Sequence, residues 1–529
     1  MHFSPKPRLT RLRHLFSPAS DDGSLTQRAL WLIVAKTLAF VSSFMLPVIL
    51  VRQMTVPEFG LYKQAFLITG SVITIFPLGF AMSAFYFLPR EGARKGAVVL
   101  NILVVYLIIG TLSCLLFTLA PGLLLEIFNS AEIASYGSLI GLAMLFLLAS
   151  SFLEYVVMAN DDVRLAAAVV VGVQLSRVIL FVGAAALFGS LRALLYAAVF
   201  HGAVQMCMAL WYLSAKFPGF WRHWRWDLMR AQLAYAIPLG AAGLLAVAQE
   251  DLHNYVVSHR FSTAAYAIYA VGCMQIPMLL VFRDSVGTVM IGRVSALRQE
   301  GQIREIVELT ARMLRKLALI LFPLYFGLLV TGHDLITFLF TTRYLASWPI
   351  FLVNLTLIPS LFLATAYDPI LRAYPEHFGF LLKARIVLVV ALFGGLVWAT
   401  GRFGPIGAIA TVVTVSLTDR LVVGMKVIRI LDVTAADWVL LKDVGRILIA
   451  AAAAALIALG TRTATAAAIP FITLAATGLT FGLAYAAALA GLKILSREEA
   501  ILIERQLERV GVPLSLTFAS VSPKSASGT

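Results

Sequence analysis

The sequence is poor in charge. Asp, Glu, Lys and Arg make up 13% of its 529 residues while 60% are hydrophobic, a balance that excludes a soluble globular protein. Cysteine is scarce as well. Cys114, Cys207 and Cys273 all lie in apolar stretches, which argues against a disulfide framework or a metal cluster and makes them small core residues. There is no G-x-x-x-x-G-K-[ST] phosphate loop, so no ATPase chemistry is encoded. Long hydrophilic loops are also missing. Apart from the stretch from Arg293 to Lys316, none is large enough to house a catalytic domain, or to form the long periplasmic loop of a glycan polymerase or ligase. Met1 to Phe40 lacks a short apolar core followed by a small-residue cleavage site, so it reads as the approach to a first membrane helix rather than a removed signal.

What the chain has in abundance is apolar stretches of membrane-crossing length, about 20 residues each. Fourteen are expected: 29–51, 65–88, 97–119, 134–158, 165–190, 193–215, 231–252, 263–292, 317–340, 348–371, 386–401, 404–425, 447–461 and 467–492. An all-α polytopic membrane protein follows. The formal net charge is +15, and its distribution sets the orientation. If the basic tail is cytoplasmic, the inside tails and loops carry 31 Lys and Arg and the outside loops seven, with Lys36, Arg177, Arg283 and Arg420 left inside spans. A miscounted helix would scramble that split, so it supports fourteen spans with both termini in the cytoplasm.

An internal repeat is visible. Phe59-Gly60-Leu61-Tyr62 follows the first span and Tyr266-Ala267-Ile268-Tyr269 the seventh, while Leu123 to Tyr136 is matched by Leu335 to Trp348 at nearly the same offset. The offset covers six spans, so the halves are expected to be parallel repeats about an axis along the membrane normal, with the substrate path between them. The expected organisation is a basic cytoplasmic tail (1–28), a first six-span lobe (29–215), a basic, Trp-rich linker (216–230), a second lobe (231–425), a loop with two added spans (426–492), and an amphipathic surface helix with a disordered tail (493–529).

Three short stretches carry a family resemblance: Arg52-Gln53-Met54-Thr55-Val56-Pro57-Glu58-Phe59-Gly60-Leu61-Tyr62, the turn from Phe338-Leu339-Phe340 to Tyr344-Leu345-Ala346-Ser347, and Gly404-Pro405-Ile406-Gly407-Ala408. With the fourteen-span layout, they resemble the Wzx-like polysaccharide flippases of the multidrug, oligosaccharidyl-lipid and polysaccharide exporter superfamily. The resemblance implies two six-helix lobes around a cavity that opens alternately to each side of a bacterial inner membrane. Its implied cargo is a polyprenyl pyrophosphate-linked oligosaccharide, with membrane lipids, a polysaccharide polymerase and glycosyltransferases as implied partners and no nucleic acid. The family has no strict catalytic signature, so the resemblance designates no site residue and implies no enzyme.

Site candidates come instead from charge placement. An ionised side chain in hydrocarbon costs at least about 2.5–3.5 kcal/mol, so one that persists faces a cavity or a partner. Arg177, with Gln174 one turn before it on the same face, is the first candidate for an anionic head group. Arg283, beside Asp284, is the second. Arg420, beside Asp419, fits a cavity role or a structural ion pair equally well, and Lys36 either contributes or snorkels to the surface. Guanidinium forks pair phosphate oxygens bidentately. Gln249, Glu250, Asp251 and Asn254, with His253, close the seventh span, either as a sodium or proton site or as groups in outer-leaflet water. His253 and His259 lack zinc spacing. His201 and Gln205 suit a cavity or an interhelical bond, and Glu154 is expected to meet Arg164 or water. Trp221, Trp224 and Trp226 among Arg222 and Arg225 read as an interfacial anchor. Besides the flippase reading stand a cation-coupled multidrug exporter and a non-transporting component of a polysaccharide export assembly.

Overall fold

The computed structural model describes residues 25–492 and Ile494. The basic tail before Leu25 and the surface helix expected at Glu498 to Arg509 lie outside the described residues. Among the described residues the chain is helical throughout, with no strand. The helices are apolar on every face, as helices bathed in lipid must be, and side chains such as Leu119, Leu187 and Leu456 are more than 70% exposed.

Two compact units result. The first contains residues up to Ile49, Val72–Ala120 and Gly137–Ala241. It holds most of α1 (Leu25–Gln53), α3 (Ser83–Phe87), α4 (Lys95–Leu119), α7 (Gly137–Ser151), α8 (Leu153–Ala159), α9 (Val163–Phe188) and α10 (Leu191–Lys216). Small residues let these backbones approach closely. A Cβ on Gly141 would sit 2.9 Å from the Cys114 carbonyl oxygen, and one on Gly202 2.8 Å from Phe146. A buried amide network adds specificity: Asn101 donates to Gln232 (2.9 Å), which donates to Ser83 (3.1 Å).

The second unit contains Leu50–Ser71, Pro121–Tyr136 and everything from Ala242 onward. It takes in the start of α2 (Val56–Ile75), the short α5 (Gly122–Phe128) and α6 (Ala131–Ser135), and the outer part of α11 (Trp226–Arg260). It continues through α12 (Thr263–Gly272), α13 (Pro277–Gln299), α14 (Ile303–Phe340), α15 (Trp348–Leu355), α16 (Leu357–Ala373), α17 (Phe378–Ile430), α18 (Lys442–Ala464) and α19 (Pro470–Gly491). Its core packs Leu317, Leu321 and Phe322 of α14 against Phe362 of α16 and Ala450 and Ala451 of α18.

Ten described helices are long and apolar enough to cross a membrane, or up to eleven if the pair Val56–Ile75 and Phe80–Phe87, bent by 42°, is one span. The expected count of fourteen is not reproduced span for span. One reason is α17: its 53 residues would extend about 80 Å at 1.5 Å per residue, more than twice the hydrocarbon thickness. Gly404 breaks it with φ 62° and ψ −149°, a conformation open essentially to glycine alone. Two of the expected spans thus lie in one continuous helix bent back at Gly404.

The loops expected at Phe59–Tyr62 and Tyr266–Tyr269 are instead opening turns of helices. Thr55 Oγ1 accepts from the Glu58 amide (3.4 Å), and Ser262 Oγ from the Ala265 amide (3.3 Å). These are N-terminal caps, and the Thr55-x-x-Glu58 spacing is their sequence sign. Glu58 and Lys63 depress the local hydropathy, which is why that stretch looks like a loop. The Trp-rich linker is exposed at Trp221, Trp224 and Trp226. There Arg225 grips Asp227 through two bonds (3.0 and 2.8 Å), and that side-chain bonding holds the carboxyl down at about 2.

Candidate functional site

A cavity of about 590 Å³ runs through the second unit, of the size that holds a small-molecule ligand. α16 contributes Thr365, Asp368 and Arg372, the two arms of α17 contribute Arg385, Ser416, Asp419 and Arg420, and α11 contributes Gln249, Glu250 and His253. The sharp bend at Gly404 makes this possible, because it turns the second arm of α17 back alongside the first. A Cβ on Gly395 would sit 2.7 Å from the Thr411 methyl across that turn. The fold-back brings Arg420 to the same cavity as Arg385.

Of the expected site residues, the structure brings Arg420, Gln249 and Glu250 into this cavity. Arg420 is bonded to its neighbour Asp419 (3.1 Å), yet it also lines the cavity, and its Nε is buried without a hydrogen-bond partner. Both readings of the pair are therefore present in one side chain: an ion pair, and a donor left for something else. Asp251 is not among the lining residues, and its carboxyl bonds Ser71 instead. Asn254 is half-buried and outside the lining. His253 is buried and bonded through Nδ1 to the Tyr269 hydroxyl (2.7 Å). Among the described residues no three His, Cys, Asp or Glu side chains cluster as a metal site would. The side chains of Arg283 and Asp284 lie outside the described residues.

Lys36, Gln174 and Arg177 belong to the first unit. Lys36 is paired with Glu154 (3.4 Å) and half-exposed, so Glu154 meets Lys36. Arg177 lies over the Phe181 ring, 5.5 Å from its centroid, and Gln174 keeps a buried Oε1 without a partner. His201 and Gln205 form an interhelical network: Ser176 (3.3 Å) and Gln205 (2.6 Å) occupy the two ring nitrogens, and Ser150 donates to Gln205 (3.0 Å).

Charge scanning of the spans passes over Arg372, Arg385 and Asp368, because they fall at span ends and count as loop charges. A carboxylate and a guanidinium four residues apart on the last turns of an apolar helix were the available signal.

Within the second unit, pieces of the first repeat are bonded to the second. Arg52 donates to the Phe338 carbonyl (2.6 Å), and His259 Nδ1 donates to the Ile127 carbonyl (3.3 Å). Arg52 and His259 stand at the offset that relates Phe59 to Tyr266, and Ile127 and Phe338 at nearly the offset of the second matched pair. The two bonds are thus repeat-related counterparts. Arg343 adds bonds to the Val51 (2.9 Å) and Met54 (3.4 Å) carbonyls, Gln64 donates to Ser258 (2.9 Å), and Tyr255 to Ser71 (2.7 Å). Gly60 packs directly on the Thr263 backbone, leaving no space for a Cβ.

Comparison with solved structures gives the same architecture. The chain is similar to the lipid II flippase MurJ in an inward closed conformation, with TM-score 0.65 and 14% identity over 89% of this chain and all of that one. It is also similar to an inward-facing multidrug resistance MATE family transporter of the MOP superfamily, with TM-score 0.54 and 13% identity over 76% of this chain and 99% of that one. A third is a mutant of the Vibrio cholerae MATE transporter VcmN, with TM-score 0.50 and 14% identity over 78% of this chain and 98% of that one. At such identities these likenesses establish the fold. No curated protein matches the chain. The model of the family described as polysaccharide biosynthesis protein matches residues 49–349, more than half of the length, and the chain is therefore a multi-pass membrane member of the polysaccharide biosynthesis protein family.

Proposed function

We propose that this protein moves a polyprenyl pyrophosphate-linked oligosaccharide from the cytoplasmic to the periplasmic leaflet of a bacterial inner membrane by alternating access, supplying surface polysaccharide synthesis. One observation carries the reading: a cavity inside a bundle of apolar helices is lined by three guanidinium groups, Arg372, Arg385 and Arg420. Such charges are costly at membrane depth unless they serve an anion, and a diphosphate offers the oxygen pairs that guanidinium forks match. No covalent step is involved.

The membership of a polysaccharide biosynthesis family and the shared fold with MurJ, itself a lipid II flippase, support the same class. Glu250 and Gln249, at the other end of the cavity, are the groups we assign to a coupling sodium ion or proton, since hard cations prefer oxygen ligands. Polymerase and glycosyltransferases would act on the delivered and the supplied lipid respectively.

Deleting the gene tests this directly. Surface glycan is expected to vanish while its lipid-linked precursor accumulates in the inner leaflet. Unchanged surface glycan, with no accumulation, contradicts the proposal.

A further inference from the structure

The cavity of the second unit is polarised along its length. Asn354, where α15 ends, and Arg372, where α16 ends, are separated by 18 positions, about 27 Å of helix at 1.5 Å per residue. Arg372, Arg385 and Arg420 all lie towards one end. Arg372 is one residue from the end of α16, and Arg385 and Arg420 lie 19 and 16 positions from the bend at Gly404, on opposite arms of α17. They therefore stand within about 5 Å of the same level. Glu250 and Gln249 lie towards the other end with Asn354 and Gln275.

Among the described residues, Arg372 and Arg385 have neither an ion pair nor a hydrogen bond, and both line the cavity. This sets them apart from Arg298, Arg304, Arg315 and Arg462 of the same unit, which are paired with Glu376, Asp437, Asp443 and Asp334. Two carboxylates stand near: Asp419, already tied to Arg420, and Asp368, one turn before Arg372. Three guanidinium groups against two carboxylates leave this end cationic.

We infer that Arg372 and Arg385, joined by the spare Nε of Arg420, form a diphosphate site at this end of the cavity. The lipid-linked cargo then sits with its diphosphate at the arginines and its sugars along the hydroxyl and amide groups of Ser360, Ser416, Gln275 and Asn354. The inference rests on the flippase reading and adds where the head group is held and how it lies. In the orientation expected from the loop charges, the arginine end faces the cytoplasm, so the anion is captured where the lipid is made. The carboxylate of Glu250 at the far end disfavours the same anion there, which sets a sense of release.

The full-length protein in lipid nanodiscs, titrated with inorganic pyrophosphate, tests the site. Wild-type protein is expected to bind. The double variant Arg372→Gln/Arg385→Gln should bind at least tenfold more weakly, and Arg372→Lys/Arg385→Lys should recover part of the loss, keeping charge but not the fork. Asp368→Asn should bind more tightly, and Arg402→Gln, in the exposed bend of α17, should match wild type. The site is overturned if wild type does not bind, if the Gln pair binds as well as wild type, or if Arg402→Gln loses as much. Should the Gln pair fail to fold, the Lys pair and Asp368→Asn still decide: an unchanged affinity in both rejects the site. A parallel flipping assay separates the two claims. Binding through these arginines without transport of a pyrophosphate-linked lipid leaves the site and removes the flippase reading, while transport that is untouched in the Gln pair does the reverse.

Discussion

Arg420 shows how one side chain serves two demands. Its bond to Asp419 keeps it ionised in an apolar bundle, and its unpaired Nε is bonded to no other described group of the protein. If the pair were only structural, neutralising both partners as Arg420→Gln/Asp419→Asn should restore what Arg420→Gln removes, since removing both members of a buried pair is far milder than removing one. The expected outcome is different: the double variant reaches the membrane in normal amount but exports at least tenfold less glycan. Full export by the double variant would reduce Arg420 to an ion pair. A second residue-scale expectation concerns Asp227, whose carboxyl is held down at about 2 by bonding to Arg225. A lowered folded-state pKa means stabilisation that is present above the ordinary carboxylate value near 4 and lost as the pH falls through about 2. The difference in melting temperature between wild type and Asp227→Asn should therefore be present at pH 7 and shrink below pH 4. A difference independent of pH would contradict the assignment.

At the scale of elements, the bend in α17 and the joined outer segments carry the argument. Gly404→Ala places a side chain in a backbone region that L residues avoid, at a cost of about 1–3 kcal/mol, and it also tilts Arg420 away from Arg385. Loss of both thermal stability and pyrophosphate binding is expected; a variant with wild-type values in both measurements would show that the bend is incidental. The repeat-related bonds of Arg52 and His259, with Arg343, tie pieces of the first repeat into the second unit. Alternating access requires them to part. In a cysteine-free background carrying Thr263→Cys beside Gly60, the added substitutions Arg52→Ala and Arg343→Ala should speed labelling from outside several-fold. Equal labelling rates would mean that these bonds do not hold the segment shut. The Thr55-x-x-Glu58 cap and Gly404-Pro405 were both legible in the sequence as punctuation. The bonds of Arg52 and His259 were not, because backbone carbonyls as acceptors leave no trace in residue type.

For the whole molecule, hydropathy alone was enough to read a polytopic all-α protein, and the repeat offset anticipated which segments would be counterparts. The number of spans was harder to read. Hydropathy windows do not register a continuous helix such as α17, nor a broken pair such as Val56–Ile75 with Phe80–Phe87. The site was legible only in part, for a physical reason. Arg420, Gln249 and Glu250 stand out because they interrupt apolar runs, whereas Arg372 and Arg385 look like ordinary surface charges until the fold places them beside a cavity. Lys36 and Arg177, equally conspicuous in the sequence, belong to the other unit, where Lys36 has Glu154 and Arg177 lies over Phe181.

The most direct test of the central claim is reconstitution of the purified protein in liposomes loaded with a fluorescent polyprenyl pyrophosphate-linked sugar, followed by quenching of the outer leaflet. The account predicts translocation by wild-type protein that falls at least tenfold in the Arg372→Gln/Arg385→Gln variant. No translocation of this lipid by active wild-type protein, or transport of a cationic drug in its place, would contradict it.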